Sequence, residues 1–305
     1  MNQYLYFLTI PGNEPFLKKE IEIKFPAWKF SYSRKGFCTF KNTGPDISLQ
    51  ELAELEIIYA LTYGETIRKL KLDEVLAEEN KIIEATNFFQ LEIVKDTWNH
   101  PQPKISKKIQ YDFIRTNTDE VFFGKRYFDR WKSPINRSFH EHRDDLISRA
   151  YYKAADAFSM LKISKPTKIL ELGCVPGGIS QYLLENEHKV IGVDPAQMDE
   201  SIIANKNFKF FNLSVQEYMQ KKDTKIEIIV SDMNLKPDFV LKECLRISKF
   251  LPNLQYALLT MKTDKVSYLS DIHKYRSQMK LMGFKNVYFL QLPYHRKEFL
   301  ALGCR

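Results

Sequence analysis

Residues 144–305 predict a doubly wound α/β domain, and residues 1–132 predict a smaller α+β domain ahead of it, with 133–143 as the linker. Apolar, strand-like runs recur at 168–173, 189–194, 208–211, 226–231 and 256–261. Each is separated from the next by a segment long enough for a crossover helix, the pattern of a parallel sheet covered on both faces. The last two runs, NVYFLQLP (286–293) and EFLALGC (298–304), are joined only by YHRK. That is too short for a crossover, so they predict an antiparallel hairpin that completes a mostly parallel seven-stranded sheet at one edge.

In the N-terminal part, YLYFLTI (4–10) reads as a strand. The segment from Pro11 to Phe25 reads as a turn entering a helix, with Phe16, Ile21 and Ile23 available for burial. KFSYSR (29–34) and GFCTFK (36–41) read as two short strands, giving β-α-β-β. Residues 47–63 read as a helix running into a strand, and LKLDEVLAEENKIIEATNFF (70–89) as helical again. LEIVKDTW (91–98) and DEVFFGKRYF (119–128) read as further strands. A ferredoxin-like α+β domain is the expectation. After the linker the pattern turns helical from Asp144, with Ile147, Ala150, Ala154, Phe158 and Leu161 on one stripe.

The chain has 305 residues, 44% of them hydrophobic, enough for a core in each of two domains. Cys38, Cys174, Cys244 and Cys304 lie far apart, without a C-x-x-C pair or matched histidines, so neither a zinc site nor a disulfide framework is predicted, and reduced thiols in a cytoplasmic protein are expected. No basic leader precedes the first apolar run and no stretch reaches the length of a membrane span, so neither a signal peptide nor a membrane partner is predicted.

The net charge is +8. Between 101 and 138, nine Lys or Arg (104, 107, 108, 115, 125, 126, 130, 132 and 137) face four acidic residues, which places five of the eight excess charges in that stretch. Tyr111, Phe113, Phe122, Phe123, Tyr127, Phe128 and Trp131 interleave with them. A surface that stacks bases and pairs phosphates has this composition, and so does a pair of strands whose aromatic faces are buried. An RNA-facing role is the expectation.

The stretch TKILELGCVPGGI (167–179) runs from strand through tight turn to helix. Glycines at 173, 177 and 178, with Cys174 and Pro176 between them, allow close backbone approach, and a helix N-terminus favours polar or anionic groups. Asp194 ends the next strand, about where an acid accepts hydrogen bonds from ribose hydroxyls. The spacing G-x-x-P-G-G is not the dinucleotide fingerprint G-x-G-x-x-G, which argues against a nicotinamide cofactor. Further polar groups fall where ligands lie in open α/β sheets: Asp232 and Lys262 end the fourth and fifth runs, Lys153 lies on the preceding helix, and Glu298 opens the last strand. Alone, each also reads as an ordinary surface or salt-bridged residue.

Taken in order, SRAYYK (148–153), LGCVPGG (172–178), SDM (231–233), Lys262 and RKEF (296–299) resemble the FtsJ-type ribose 2′-O-methyltransferases. SDMNLKP, the approach to Lys153 and the H-x-x-E turn are similar to the branch that acts on bacterial large-subunit ribosomal RNA and carries an N-terminal ferredoxin-like plus THUMP region. The resemblance implies a Rossmann-like class I methyltransferase domain, a shortened THUMP-like region before it, and S-adenosyl-L-methionine held by Gly173, Cys174, Pro176, Gly177, Gly178, Asp194 and Asp232. It implies a catalytic tetrad of Lys153, Asp232, Lys262 and Glu298, with no metal. Where relatives place an acid against adenine this chain reads FFNLSVQEY, so Ser214 or its backbone is expected to serve. A ribose hydroxyl needs a base, and Lys153 beside Lys262 is expected to favour the neutral amine of Lys262. Ribosomal RNA is the preferred partner, with transfer RNA, or RNA binding without catalysis, as the alternatives. The Asn/Asp-Pro-Pro-aromatic signature of base methylation is missing from SDMNLKP. Oligomeric state is not predicted.

Overall fold

The computed structural model describes residues 3–71, 74, 86–90, 109–116, 119–127, 143–161, 163, 165–263 and 266–305. The chain divides into two compact units, Met1–Phe139 and His140–Arg305.

The first unit opens with β1 (Tyr4–Leu8), α1 (Glu14–Lys24), β2 (Trp28–Arg34), β3 (Phe37–Asn42), α2 (Leu49–Glu54) and β4 (Thr62–Lys71). These strands pair antiparallel in the order β2-β3-β1-β4, the arrangement of a split β-α-β-β-α-β unit. The helix α2 starts where Ser48 and Glu51 form a reciprocal capping box. On α1 the buried positions are Phe16, Leu17, Glu20 and Ile21. Ile23, expected inside, is 51% exposed, because two residues past Ile21 lies about 200° around the helix. Glu20 can be buried because its carboxylate accepts the Ile58 and Tyr59 N–H groups and pairs with Lys24.

The sheet continues through β7 (Glu120–Tyr127), β6 (Ile109–Arg115) and β5 (Thr86–Gln90). Thus both ends of the 70–89 stretch expected to be helical are strand, with sheet pairing overriding local propensity. The expected strand at 91–98 and all but Arg143 of the linker lie outside the described residues. Four strand spacings separate β3 from β6, about 19 Å in a flat sheet. Yet Phe37, Tyr6, Leu8, Ile114 and Phe122 form one buried cluster, so the sheet curls strongly.

Within that curl, the described aromatic residues of the basic stretch take the buried-strand alternative. Phe113, Phe122 and Phe123 are buried, and Tyr111 stacks on Phe123. Arg126 is 2% exposed, its Nε 2.7 Å from Asp112, which also accepts the Tyr6 hydroxyl. Lys125 pairs with Glu65 at 3.1 Å. The described part of the stretch is therefore a core hairpin; Lys104, Lys107, Lys108, Phe128, Arg130, Trp131, Lys132 and Arg137 lie outside the described residues.

The second unit comprises α3 (Ala150–Ser159), β8 (Lys168–Leu172), α4 (Gly178–Glu185), β9 (Lys189–Val193), α5 (Glu200–Ile203), β10 (Phe208–Phe211), β11 (Ile226–Ser231), α6 (Pro237–Ser248), β12 (Tyr256–Lys262), α7 (Ile272–Leu281), β13 (Asn286–Leu290) and β14 (Glu298–Cys304). Its strands stand in the order β10-β9-β8-β11-β12-β14-β13, five parallel and the terminal hairpin antiparallel. The chain leaves β8 in one direction through β9 and returns on its other side at β11. Right-handed crossovers then put α4 and α6 on opposite faces. The helix after the linker starts at Ala150 rather than Asp144, where the Ser148 hydroxyl accepts the Ala150 N–H at 3.3 Å.

One expected crossover helix is missing. Between β10 and β11, Ser214 and Glu217 close a single capped turn and no helix follows. Arg246 on α6 donates to the carbonyls of Val215 (2.6 Å) and Tyr218 (3.2 Å), the acceptors that Met219 and Lys222 would need to extend the turn. Among the described residues no helix is long and apolar enough to cross a membrane.

Removing Arg126 while leaving Asp112 buried is expected to cost about 3–5 kcal/mol. Denaturant unfolding of Arg126→Ala should show that loss, and Arg126→Met combined with Asp112→Leu and Tyr6→Phe, which removes the whole polar cluster, should recover most of it.

Candidate active site

The apolar strand β8 is followed by Gly173, whose φ of +75° is open to glycine and strained for other residues. A Cβ there would lie 2.8 Å from the Met233 backbone, so the missing side chain lets β11 run close by. The Asp232 N–H donates to the Leu172 carbonyl at 3.1 Å, fixing the end of β11 beside the glycine turn. This is the point where strand order reverses, the usual ligand crevice of an open α/β sheet. Gly178 begins α4, and a Cβ on it would fall 2.1 Å from the Ser148 hydroxyl. Cys174 is buried and burial raises its thiol pKa far above the ordinary range, so it is packing in the turn rather than a reactive thiol. Pro176 follows a cis peptide bond within the turn.

Asp194, half-buried at the tip of β9, accepts the Val175 N–H at 3.2 Å and the Ala196 N–H at 2.8 Å, tying the second strand to the glycine turn. Its carboxylate oxygens keep lone pairs for a ribose. Ser214 stands after β10, but its hydroxyl is engaged with Glu217 at 2.6 Å. What faces a ligand from that turn is therefore its backbone more than its hydroxyl.

Lys153, Asp232, Lys262 and Glu298 meet although they are spread over 146 positions of sequence, from 153 to 298. Lys153 Nζ lies 3.2 Å from Asp232 Oδ2 and 2.6 Å from Glu298 Oε1. Lys262 Nζ lies 3.0 Å from Asp232 Oδ1 and 2.7 Å from Glu298 Oε2. Two ammonium groups thus alternate with two carboxylates around a square. The antiparallel register sets one edge, since Lys262 of β12 stands directly opposite Glu298 of β14. Lys153 and Glu298 side chains are each 7% exposed, whereas Lys262 is 26% exposed and reaches toward solvent.

Burial opposes the ammonium of Lys262, but Asp232 and Glu298 outweigh it, and its pKa is raised above the ordinary lysine value. The expectation that Lys153 would make the neutral amine available is corrected, because two carboxylates offset one like charge. For Glu298, burial acts upward, yet the His295 ring, once protonated in acid, and the two lysines hold its carboxyl down at about 2. Lysines also surround Asp232, so the square carries no net charge when all four groups are ionised.

Two further residues of the site were not among the site residues named from the sequence, although His295 opens the H-x-x-E turn read there. His295, 1% exposed, accepts the Leu292 N–H on Nδ1 at 3.3 Å, and burial pulls its pKa down to about 3. Its signal was a histidine three positions before Glu298 in the hairpin turn. Glu171 of β8 is buried behind the glycines, accepting the Ser180 hydroxyl at 2.6 Å. Desolvation raises its pKa to about 8, against the Ser180 hydrogen bond, so it holds its proton at neutral pH. An acid inside the apolar run KILEL was the available sign.

The sequence profile of the FtsJ-like methyltransferase family matches residues 146–298, half of the chain. The chain belongs to that family. No curated protein sequence matches it. Among solved structures it is similar to a hemolysin from Streptococcus thermophilus, with 15% identity, 53% of this chain and 68% of that one covered, and a TM-score of 0.42. It is similar to the Burkholderia thailandensis 1,6-didemethyltoxoflavin-N1-methyltransferase, with 14% identity, coverage of 52% and 77%, and a TM-score of 0.38; that structure contains bound S-adenosylhomocysteine. TrmN from Thermus thermophilus is similar over 99% of this chain and 100% of its own, with 12% identity and a TM-score of 0.37. At such scores these likenesses say nothing of what this chain acts on.

Because Glu298 is depressed in the folded state, it stabilises the fold above its unfolded pKa of about 4.3 and loses that contribution as pH falls toward about 2. The stability gap between the wild type and Glu298→Gln should therefore close across that window in denaturant unfolding at graded pH.

Proposed function

We propose that this protein is an S-adenosylmethionine-dependent RNA ribose 2′-O-methyltransferase acting on large-subunit ribosomal RNA. The observation that carries the reading is the ion-paired square of Lys153, Asp232, Lys262 and Glu298, set against the glycine turn of β8 in a chain of the FtsJ-like family.

The residues present fit the cofactor. The turn from Gly173 to Gly178 offers backbone N–H groups at the start of α4, Asp194 can accept from ribose hydroxyls, and the turn at Ser214 would face the adenine. When bound, S-adenosylmethionine supplies an already activated methyl group, which leaves deprotonation and alignment of the ribose hydroxyl to the protein. Lys262 is the member of the tetrad closest to solvent and is assigned as the base; its neutral form accepts the hydroxyl proton at Nζ. Asp232 and Glu298 orient that amine through hydrogen bonds at 3.0 and 2.7 Å. Lys153 pairs with both carboxylates and holds them in place. The first unit, with its ferredoxin-like strand order followed by three more strands in one curled sheet, is assigned as a THUMP-like RNA-holding region.

A base whose pKa is raised must lose its proton before it can act. The transfer rate should climb tenfold per pH unit through the neutral range, and Glu298→Gln, which removes one of the charges raising Lys262, should move that rise to lower pH. Lys262→Ala should retain S-adenosylhomocysteine binding by calorimetry while transfer drops by about 10²-fold or more. Nucleoside mass spectrometry of RNA from cells with and without the gene decides the substrate. Loss of one 2′-O-methyl nucleoside from large-subunit RNA, restored by wild type and not by Lys262→Ala, is expected; unchanged ribose methylation in that RNA would refute the assignment.

A further inference from the structure

The missing crossover helix leaves a consequence on the outer edge of the second unit's sheet. In place of a helix, the segment after β10 forms a groove of about 690 Å³ against β9 and β10. Its lining includes Lys168, Lys189, Lys206, Lys209 and Lys221, with Glu217 and Asp223 as its acids. Both acids are already engaged, Glu217 with Ser214 and Asp223 with Lys168 at 2.6 Å. Lys189, Lys206, Lys209 and Lys221 are exposed, and among the described residues no carboxylate pairs with them. Lys209 instead sits 4.8 Å over the Phe211 ring, which itself packs edge-on against Tyr218. The groove is therefore a concave strip of unneutralised cations over an aromatic floor, and Met219, 76% exposed, stands at its rim. None of the glycine turn, Asp194 or the tetrad lines it.

We propose that this groove holds the phosphate backbone of a single RNA strand, as a second contact of the substrate whose ribose is presented to the tetrad. The inference rests on the RNA reading given under the proposed function and adds a place and an energetic role to it. Unpaired lysines bind phosphates as point charges and release condensed counterions, and a ring in the floor accepts stacking by any base. An acidic peptide would find the same charge but would leave the groove's aromatic floor without a stacking partner. In the sheet, β10 lies four strands from β12, about 19 Å at the usual spacing. A strand seated there is held well away from the reacting ribose, so the groove contributes affinity and register without touching the chemistry.

The test compares the wild type with Lys206→Glu/Lys209→Glu/Lys221→Glu, and with a charge-matched control, Lys242→Glu/Lys249→Glu/Lys280→Glu, whose exposed lysines lie on and after the α6 and α7 helices. Binding of a fluorescein-labelled, unstructured oligoribonucleotide is titrated at several salt concentrations, with S-adenosylhomocysteine binding and melting temperature as checks of folding. Three lost phosphate contacts should lower the slope of log K against log salt by about 2 and weaken binding at least tenfold at low salt, while the control changes far less. Equal losses in both variants, or full affinity in the groove variant, would overturn the proposal. So would competition by poly-glutamate that exceeds competition by unlabelled RNA. If the wild type binds no RNA at all, the RNA reading itself falls, and the groove assignment with it; a groove variant that binds RNA as well as the wild type removes only the groove.

Discussion

Four ionised groups can share one half-dry pocket only if each is offset by two neighbours of opposite sign. In this protein that balance is made by four separate pieces of backbone: α3 brings Lys153, the end of β11 brings Asp232, the end of β12 brings Lys262 and the start of β14 brings Glu298. Removing a carboxylate from water costs several kcal/mol, and its partners must be correctly placed to repay it. The requirement reaches back into the fold. The register of β12 against β14, the closeness of β11 to the glycine turn, and the position of α3 must all be right together for the square to exist.

The same balance sets the chemistry. The square holds Glu298 ionised and Lys262 protonated at rest, so the site is stable before substrate arrives and reactive only when the lysine gives up its proton. His295, kept neutral by burial, adds bulk and a hydrogen bond to the hairpin turn without adding charge to the square. Glu171, protonated behind the glycines, avoids placing a third carboxylate charge beside Asp232 and Asp194.

Elsewhere one side chain marks a change in the architecture. Arg246 donates to the Val215 and Tyr218 carbonyls where a crossover helix was expected, and the segment runs past β9 and β10 without one. In the first unit Asp112 gathers Arg126 and Tyr6 beneath the curled sheet and draws a basic residue into the core.

Much of this was legible in the residues themselves. Alternation of apolar runs with helix-length segments determined the parallel sheet, the short YHRK connection determined its antiparallel edge, and the order of short motifs determined the family, because periodicity and turn chemistry are local properties of a chain. The four tetrad positions were nameable for the same reason. Tertiary structure alone decided that they meet, that two carboxylates outweigh one lysine at Lys262, and that the aromatic and basic stretch around 111–126 faces inward. It alone decided that no helix follows β10. Those outcomes turn on which distant group supplies a charge, a carbonyl partner or a covering surface, and neither spacing nor composition carries that information.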